Sequence, residues 1–304
     1  MKARVSPCGA DGAGGADRAG VRDWEIDLDR PLSLAIETHF AHDSPSGFGA
    51  PRADARPLVV AGFTGRVATG ASCNCSTLTL TPHCNGTHTE CAGHLTAQPL
   101  DVIRIVPAGL VTALLITVTP ERASREAGSA GTRASTGTSR STGASAGTPG
   151  DCLITSRVLD AAWLAAAGSR APPAPAPPRA LVIRTLPNDE AKRHRDYTGG
   201  SAPYLTEDAA RSLVERGIEH LVVDLPSIDR MADDGRLAAH RAFFGLPLGA
   251  TDLALAARAH CTVTELAYVA DSIGDGQYLL QLQVPALAGD AVPSRPLLYA
   301  PERP

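Results

Sequence analysis

Between Pro82 and His94 the chain reads Pro-His-Cys-Asn-Gly-Thr-His-Thr-Glu-Cys-Ala-Gly-His. His83, His88 and His94 offer three imidazoles, and Glu90 a carboxylate, within this short span. Neutral imidazole with carboxylate is a donor set suited to Zn²⁺, Mn²⁺ or Fe²⁺. In an extended chain, side chains at i and i+2 share a face, so His88 and Glu90 point the same way. His94 has their parity if the chain stays extended. His83 has the opposite parity, but Asn85-Gly86 is a turn or bulge signal, and a bulge shifts parity by one. A divalent-metal site is therefore expected here. Cys73, Cys75, Cys84 and Cys91 lie around it and define a rival: a zinc-stabilised structural or binding protein with closed, thiolate-rich coordination. Their spacing does not match paired-cysteine knuckles, and Cys73-Asn74-Cys75 lacks the Cys-x-x-Cys spacing of a redox pair. With seven cysteines in all, an odd count, and no export signal, a disulfide framework is not expected.

The elements that must position this segment are mostly strands. Trp24–Leu28, Leu32–Thr38, Leu58–Phe63, Cys75–Leu80, Val102–Val106 and Leu110–Val118 read as β. Cys75–Leu80 is expected to be a buried strand leading into the metal segment. Residues 1–22 are Gly- and Ala-rich and read as a disordered tail, and 121–150 as a flexible low-complexity insert. The ordered domain is then 23–304. The Pro/Ala run at 171–178 reads as a stiff connector. In the second half, Ser156–Ala167 reads as a helix and Leu181–Thr185 as a buried strand. Thr206 caps a helix to about Arg216, with Gly217 as its stop, and His220–Asp224 is the next strand. Helices over Gly235–Phe244 and Asp252–His260, then strands over Tyr278–Val284 and Pro296–Tyr299, complete the chain. This order predicts a single α/β or α+β domain with a β-rich first half.

Composition narrows the function. The chain has 304 residues, 43% hydrophobic and 20% charged, so a real core can form. A net charge of −4 and 4% aromatic residues disfavour nucleic-acid binding. No apolar run is long enough for a bilayer and the N-terminus lacks an apolar signal region, so no membrane association and a cytoplasmic location are expected. No Gly-x-Ser-x-Gly elbow or Walker loop is present, which disfavours a serine hydrolase or P-loop ATPase.

Several further motifs occur in order. Asp27-Leu28 opens the ordered region, Asp224-Leu225-Pro226-Ser227-Ile228-Asp229 follows an apolar strand, Leu237-Ala238-Ala239-His240 comes next, and then Thr264-Glu265-Leu266. With the His83–His94 segment, they resemble the cyclase-like metal-dependent hydrolases, whose signature is His-x-Gly-Thr-His-x-Asp-x-x-x-His and which include kynurenine formamidase (arylformamidase) and isatin hydrolase. The resemblance covers most of 24–299 and implies a swivelling β/β/α fold. It implies that His83 and His88 bind a first metal, that Glu90 stands in for a bridging Asp, and that His94 is the catalytic acid–base. It implies that His240 and Glu265 bind a second metal, that Phe48 lies against the substrate, and that the protein is a homo-oligomer acting on a small molecule. The implied activity is metal-assisted hydrolysis of an aryl formamide such as N-formyl-L-kynurenine, or of a lactam or lactone. An extra residue, Asn85, the Glu at position 90, and a longer stretch between His240 and Glu265 mark a divergent branch.

Other polar residues have two readings each. Arg184, at a strand end, could orient a substrate carboxylate or pair with an acid in the fold. Asp224 could serve the site or cap its own turn. His220 and His260 read as polar surface positions, and His39 and His42 could line a pocket near Phe48.

Overall fold

Leu181-Val182-Ile183 and Leu221-Val222-Val223 are continuous apolar runs, the pattern of strands covered on both faces, and they form the middle of the main sheet. The computed structural model describes residues 1–5, 23–40, 44–123, 147–168 and 176–302. Its principal sheet has nine strands, here numbered along the chain: β1 (Leu32–Ser33), β2 (His88–Glu90), β3 (Val111–Val118), β4 (Ala180–Thr185), β5 (His220–Val223), β6 (Thr262–Glu265), β7 (Gly276–Gln283), β8 (Ala291–Pro293) and β9 (Arg295–Tyr299). Their spatial order is β8-β2-β6-β5-β4-β3-β7-β9-β1. The four central strands, β6, β5, β4 and β3, run parallel. The flanking strands pair antiparallel.

Three helices cover one face: α1 (Ser156–Ala167), α2 (Glu207–Glu215) and α3 (Ala238–Phe244). Leu159, Leu213 and Phe243 from these helices pack with Leu114, Ile116, Leu181, Ile183, Leu221 and Val223 in one buried cluster. The alternate residues of the same strands, including Ala113, Leu115, Val182 and Val222, form a second cluster on the other face. The period-2 alternation of strand side chains produces this division. The helices begin as expected from their caps: Thr155 and Thr206 each accept a backbone N–H of the first turn. Gly217 follows α2 with φ +75°. The result is the mixed α/β architecture expected.

Several local expectations are corrected. Lys2–Val5 is not a tail but a strand paired antiparallel with Trp24–Asp27; 6–22 lie outside the described residues, as do 124–146 of the insert, 171–175 of the connector, and His42. Leu58–Phe63 is a hairpin, Val59–Val60 with Phe63–Thr64, because Ala61 and Gly62 both take positive φ and turn the chain. Ser76–Thr79 is a strand, but exposed along its length and paired, among the described residues, only with Asp54–Pro57. Its Thr alternation satisfied β propensity without burial. Val102–Arg104 is a 3₁₀ turn: the Val102 N–H donates to Gly289, Arg104 N–H to Asp101, and Ile105 and Val106 N–H to Val102. Asp252–His260 holds only a 3₁₀ turn, Leu253–Leu255, since the Ala257 and Arg258 N–H groups are drawn to the end of α3 at Gly245 and Phe244. Of Leu32–Thr38 only Leu32–Ser33 is strand; the helix expected over Gly235–Phe244 starts at Ala238.

Candidate metal centre

The site lies where β2 meets β6. The register places His88 opposite Glu265 and Glu90 opposite Val263. His88 and Glu90 share a face, as the i, i+2 spacing requires, while Thr89 on the other face meets Thr264 through a 2.8 Å hydroxyl hydrogen bond. His83 arrives by a 3₁₀ turn, Pro82–Cys84, and not by a bulge. The extra Asn85 is pinned: its Oδ1 accepts from Thr81 N–H at 2.7 Å and its Nδ2 donates to Pro51 at 3.1 Å. Gly86 is obligatory, with φ +131° and space such that a Cβ would stand 2.8 Å from Thr38 Oγ1. Thr87 fastens the loop, accepting from Ile36 N–H and donating to the Leu266 carbonyl. His94 does not arrive by extended parity; a second 3₁₀ turn, Ala92–Leu95, swings it in.

The later residues are brought in by the fold. His240 is carried on α3, and Glu265 ends β6. Two left-handed non-glycine residues lie close by: Leu237 (φ +46°) at the N-cap of α3, three residues before His240, and Leu266 (φ +51°), next to Glu265. Such strain persists only where surrounding bonds impose it: Leu237 N–H is held by Asp233, and Leu266 N–H by Leu225.

Two groups of donors result: His83, Glu90 and His94, and His88, Glu90 and Glu265. Glu90 belongs to both. Its Oε2 is 3.4 Å from His83 Nε2, and its Oε1 is 2.6 Å from His240 Nε2. Glu265 stands 3.5 Å from His88 Nε2 and 3.4 Å from His240 Nε2. This grouping departs from the expected one, in which His83 and His88 share an ion: His88 sides with Glu265, and His94 with His83.

The tautomers follow from the hydrogen bonds. His88 Nδ1 is 2.9 Å from the Gly86 carbonyl, so it carries the proton and Nε2 presents a lone pair. His240 Nδ1 donates to Asp229 at 2.7 Å, with the same consequence. His240 Nε2 and Glu90 Oε1 then face each other as two lone-pair atoms at 2.6 Å, an arrangement that calls for a cation or proton between them. Six buried side-chain polar atoms lack a hydrogen-bond partner among the described residues, and four are here: His83 Nε2, His88 Nε2, Glu90 Oε1 and His240 Nε2. Unpaired buried polar atoms are costly and rare; their convergence fits a divalent ion with mixed nitrogen and oxygen ligands.

The electrostatics agree. Burial opposes charge on His88, Glu90, His240 and Glu265, yet mutual attraction outweighs it. His88 is raised despite burial by Glu265 and Glu90. His240 is raised well above its ordinary value, against burial, by Glu90, Asp229 and Glu265. Glu90 is lowered against burial by His240 and His94, and Glu265 well below the usual carboxylate range, again against burial, by His240 and His88. A cation would replace the imidazolium charge in this balance.

The thiolate alternative is not assembled. Cys91 donates its thiol to the Leu100 carbonyl and packs with Val102 and Val292; burial pushes its pKa up to about 12. Cys84 is also raised, by burial and then Glu265. Cys73 is exposed, and no cysteine belongs to either donor group among the described residues.

The remaining candidates fall as follows. Arg184 is 8% exposed and spent on the fold: it donates to Thr117, to the Ala270 and Ile273 carbonyls, and to Asp275. Its pairing is thus the internal one. Asp224 is buried and held by Thr185 and Lys192 rather than capping its own turn. His220 is buried, not superficial, with Nδ1 2.9 Å from Thr262 Oγ1. Phe48 is half-exposed with φ +56°, in the loop whose Pro51 carbonyl accepts from Asn85.

Two residues escaped sequence reasoning. Asp229, noticed only as the end of a turn motif, orients His240 and also accepts the Ala239 and His240 N–H groups at the start of α3. Asp290 has its Oδ2 3.1 Å from His83 Nε2 and 3.5 Å from His94 Nδ1, contacts that hold its carboxyl well below the usual range. It sits in a loop without a local motif.

Fold and donor arrangement together define a chain with the architecture of the cyclase-type metal-dependent hydrolases. The Cyclase family model (putative cyclase) matches residues 26–230, and the chain belongs to that family. The match ends before His240 and Glu265. No curated protein matches the chain significantly. Among solved structures, a potential metal-dependent hydrolase with cyclase activity is similar at TM-score 0.56 and 16% identity, covering 90% of this chain and 99% of the other. Isatin hydrolase A from Labrenzia aggregata, bound to benzyl benzoate, gives 0.54 and 15%, covering 90% and 94%. Isatin hydrolase A from Ralstonia solanacearum gives 0.53 and 16%, covering 89% and 92%. No helix among the described residues is long and apolar enough to cross a membrane.

Proposed function

We propose that the chain is a metal-dependent amidohydrolase that cleaves a small aryl amide, with an aryl formamide such as N-formyl-L-kynurenine as its substrate. The observation that carries the proposal is the convergence of four unpartnered buried donors on Glu90 and its neighbours. A divalent ion held there, Zn²⁺ or Mn²⁺, supplies Lewis acidity and an activated water near neutral pH.

The chain's own residues do the rest. His83, His88, Glu90, His240 and Glu265 present the donors. Asp229 fixes the His240 tautomer, as an outer carboxylate does for a ligating imidazole. His94, with 28% of its side chain exposed, stands at the rim, where an imidazole can pass a proton to the leaving nitrogen. Phe48 is the candidate aromatic wall, supported by its exposure and its strained backbone beside the Asn85 anchor. Homo-oligomerisation belongs to the same proposal, supported by exposed Val59, Val60, Val67 and Leu78.

A second reading keeps the site and changes the substrate to a cyclic lactam, as in the isatin hydrolases whose fold this chain shares. The test is hydrolysis of N-formyl-L-kynurenine and of isatin by chelator-treated protein, with and without Zn²⁺ or Mn²⁺. Metal-dependent turnover of the formamide supports the first reading and turnover of isatin alone the second. Undiminished turnover after complete metal removal, or with His94→Ala, would refute the mechanism.

A further inference from the structure

The half-site around His83 holds three donors, His83, Glu90 and His94. With His94 assigned to proton transfer and His88 turned toward Glu265, only His83 Nε2 and Glu90 Oε2, 3.4 Å apart, remain as ligands. We propose that Asp290 is a metal ligand, whose carboxylate joins His83 and Glu90 to hold an ion in this half of the site and leaves His94 free to move protons. The inference rests on the metal-site reading above.

The geometry is that of ligands. Asp290 Oδ2 is 3.1 Å from His83 Nε2, and yet His83 Nε2 is a buried atom with no hydrogen-bond partner. The two atoms are in ion-pair range without hydrogen-bond geometry, a separation that a shared ion would also give. Donors on a tetrahedral ion with bonds of about 2.0–2.1 Å lie about 3.3 Å apart. The separations of 3.1 Å and 3.4 Å match that spacing. With Asp290 the half-site has three protein ligands, the number that a catalytic zinc site uses while keeping a position open. His94 Nδ1, 3.5 Å from the same Asp290 oxygen, is beside it.

The backbone holds Asp290 in place. β8 begins at the next residue and pairs with β2, Ala291 opposite Glu90. The Asp290 carbonyl accepts from Cys91 N–H at 3.0 Å, and the Gly289 carbonyl from Val102 N–H at 2.8 Å. On the other side is Gly93, where a Cβ would come within 3.1 Å of Asp290 Cβ and 2.6 Å of the Leu100 carbonyl. The missing side chain at position 93 is what lets the Asp290 side chain approach His83 and His94.

The test is Zn²⁺ binding to the chelator-treated full chain, in competition with a chromophoric chelator, for wild type, Asp290→Ala, Asp290→Asn and Asp290→Glu. Circular dichroism before metal addition identifies variants that keep the fold; Asn, nearly isosteric, serves if Ala does not. Removing an outer-sphere partner weakens metal binding by about 10–100-fold, so losing a ligand should weaken one site by more than about 100-fold, with partial recovery in Asp290→Glu. Folded Ala and Asn variants that bind as tightly as wild type, within about threefold, would overturn the role of Asp290 while leaving the metal-site reading intact. A wild type that takes up no Zn²⁺ would overturn both.

Discussion

Asp229→Ala separates the positioning of the site from its ligands. Asp229 Oδ1 accepts from Ala239 N–H at 2.7 Å, and Oδ2 accepts from His240 N–H at 3.1 Å and from His240 Nδ1 at 2.7 Å. The first two bonds anchor the start of α3, and losing such a cap costs about 0.5–2 kcal/mol. The third leaves the His240 Nδ1–H buried without an acceptor, about 1–3 kcal/mol more. The chelator-treated variant should therefore be less stable by about 2–4 kcal/mol, read from the urea midpoint at constant slope. Independently, the imidazole is no longer held with its Nε2 lone pair toward Glu90, and Zn²⁺ affinity should fall by about 10–100-fold. Asp229→Asn is the control: with its one oxygen in the Oδ2 position it still accepts from His240 N–H and Nδ1 and loses only the Ala239 N–H bond, so stability should fall less than in Asp229→Ala and Zn²⁺ affinity should be largely kept. Wild-type Zn²⁺ affinity in Asp229→Ala, at conditions where the variant is folded, would refute the claim that His240 is a ligand oriented by Asp229.

Burial lowers the pKa of His220 to about 4, against the pull of Glu219. Since the folded value lies below the unfolded one, near 6.5, the unfolded state binds more protons between them. Stability from this residue should be complete above about pH 6.5 and lost as pH falls toward 4, by about 3 kcal/mol at most. The urea midpoint of His220→Gln should lose that part of the pH dependence relative to wild type. Gly86→Ala should destabilise the fold by about 1–3 kcal/mol, from the positive φ and the Thr38 contact, and lower the bound-metal content measured by mass spectrometry. Arg184→Met should cost about 1–3 kcal/mol by leaving the Ala270 and Ile273 carbonyls without their donor and Asp275 without its cation. A rise in KM for N-formyl-L-kynurenine without loss of stability would instead return Arg184 to the substrate. Replacing Cys73, Cys75 and Cys84 by Ser and Cys91 by Ala should leave the Zn²⁺ stoichiometry unchanged; loss of zinc would revive the thiolate centre.

The donor residues were legible because their chemistry is local. His83, His88, Glu90 and His94 lie within one short segment, and the strand period put His88 and Glu90 on one face before any fold was known. His240 and Glu265 were legible only through ordered motifs. The misread segments share a cause. Val102–Val106 and Asp252–His260 have apolar patterns compatible with regular structure, but key backbone N–H groups, Val102 in the first and Ala257 and Arg258 in the second, are claimed by distant carbonyls at Gly289 and the end of α3, and most of their remaining backbone bonds close short 3₁₀-type turns. The Thr-rich strand at Ser76–Thr79 forms as its propensity suggests, while its exposure depends on what covers its faces, and its one strand partner among the described residues, Asp54–Pro57, lies at its edge.

The sequence by itself determined the apolar parallel strands, the helix caps, the Gly86 turn and the donor types, because each depends on the residue's own conformational preference or on neighbours a few positions away. Tertiary structure decided how the donors are grouped. Whether His88 faces His83 or Glu265 depends on the β2–β6 register, and whether Asp290 reaches His83 depends on β8 pairing with β2 beside a residue without a side chain, Gly93. It also decided that Arg184 and Asp224 serve the interior, where burial makes an unpaired charge too costly to leave for a ligand. These outcomes rest on contacts between residues far apart along the chain, which no local pattern of residue types encodes.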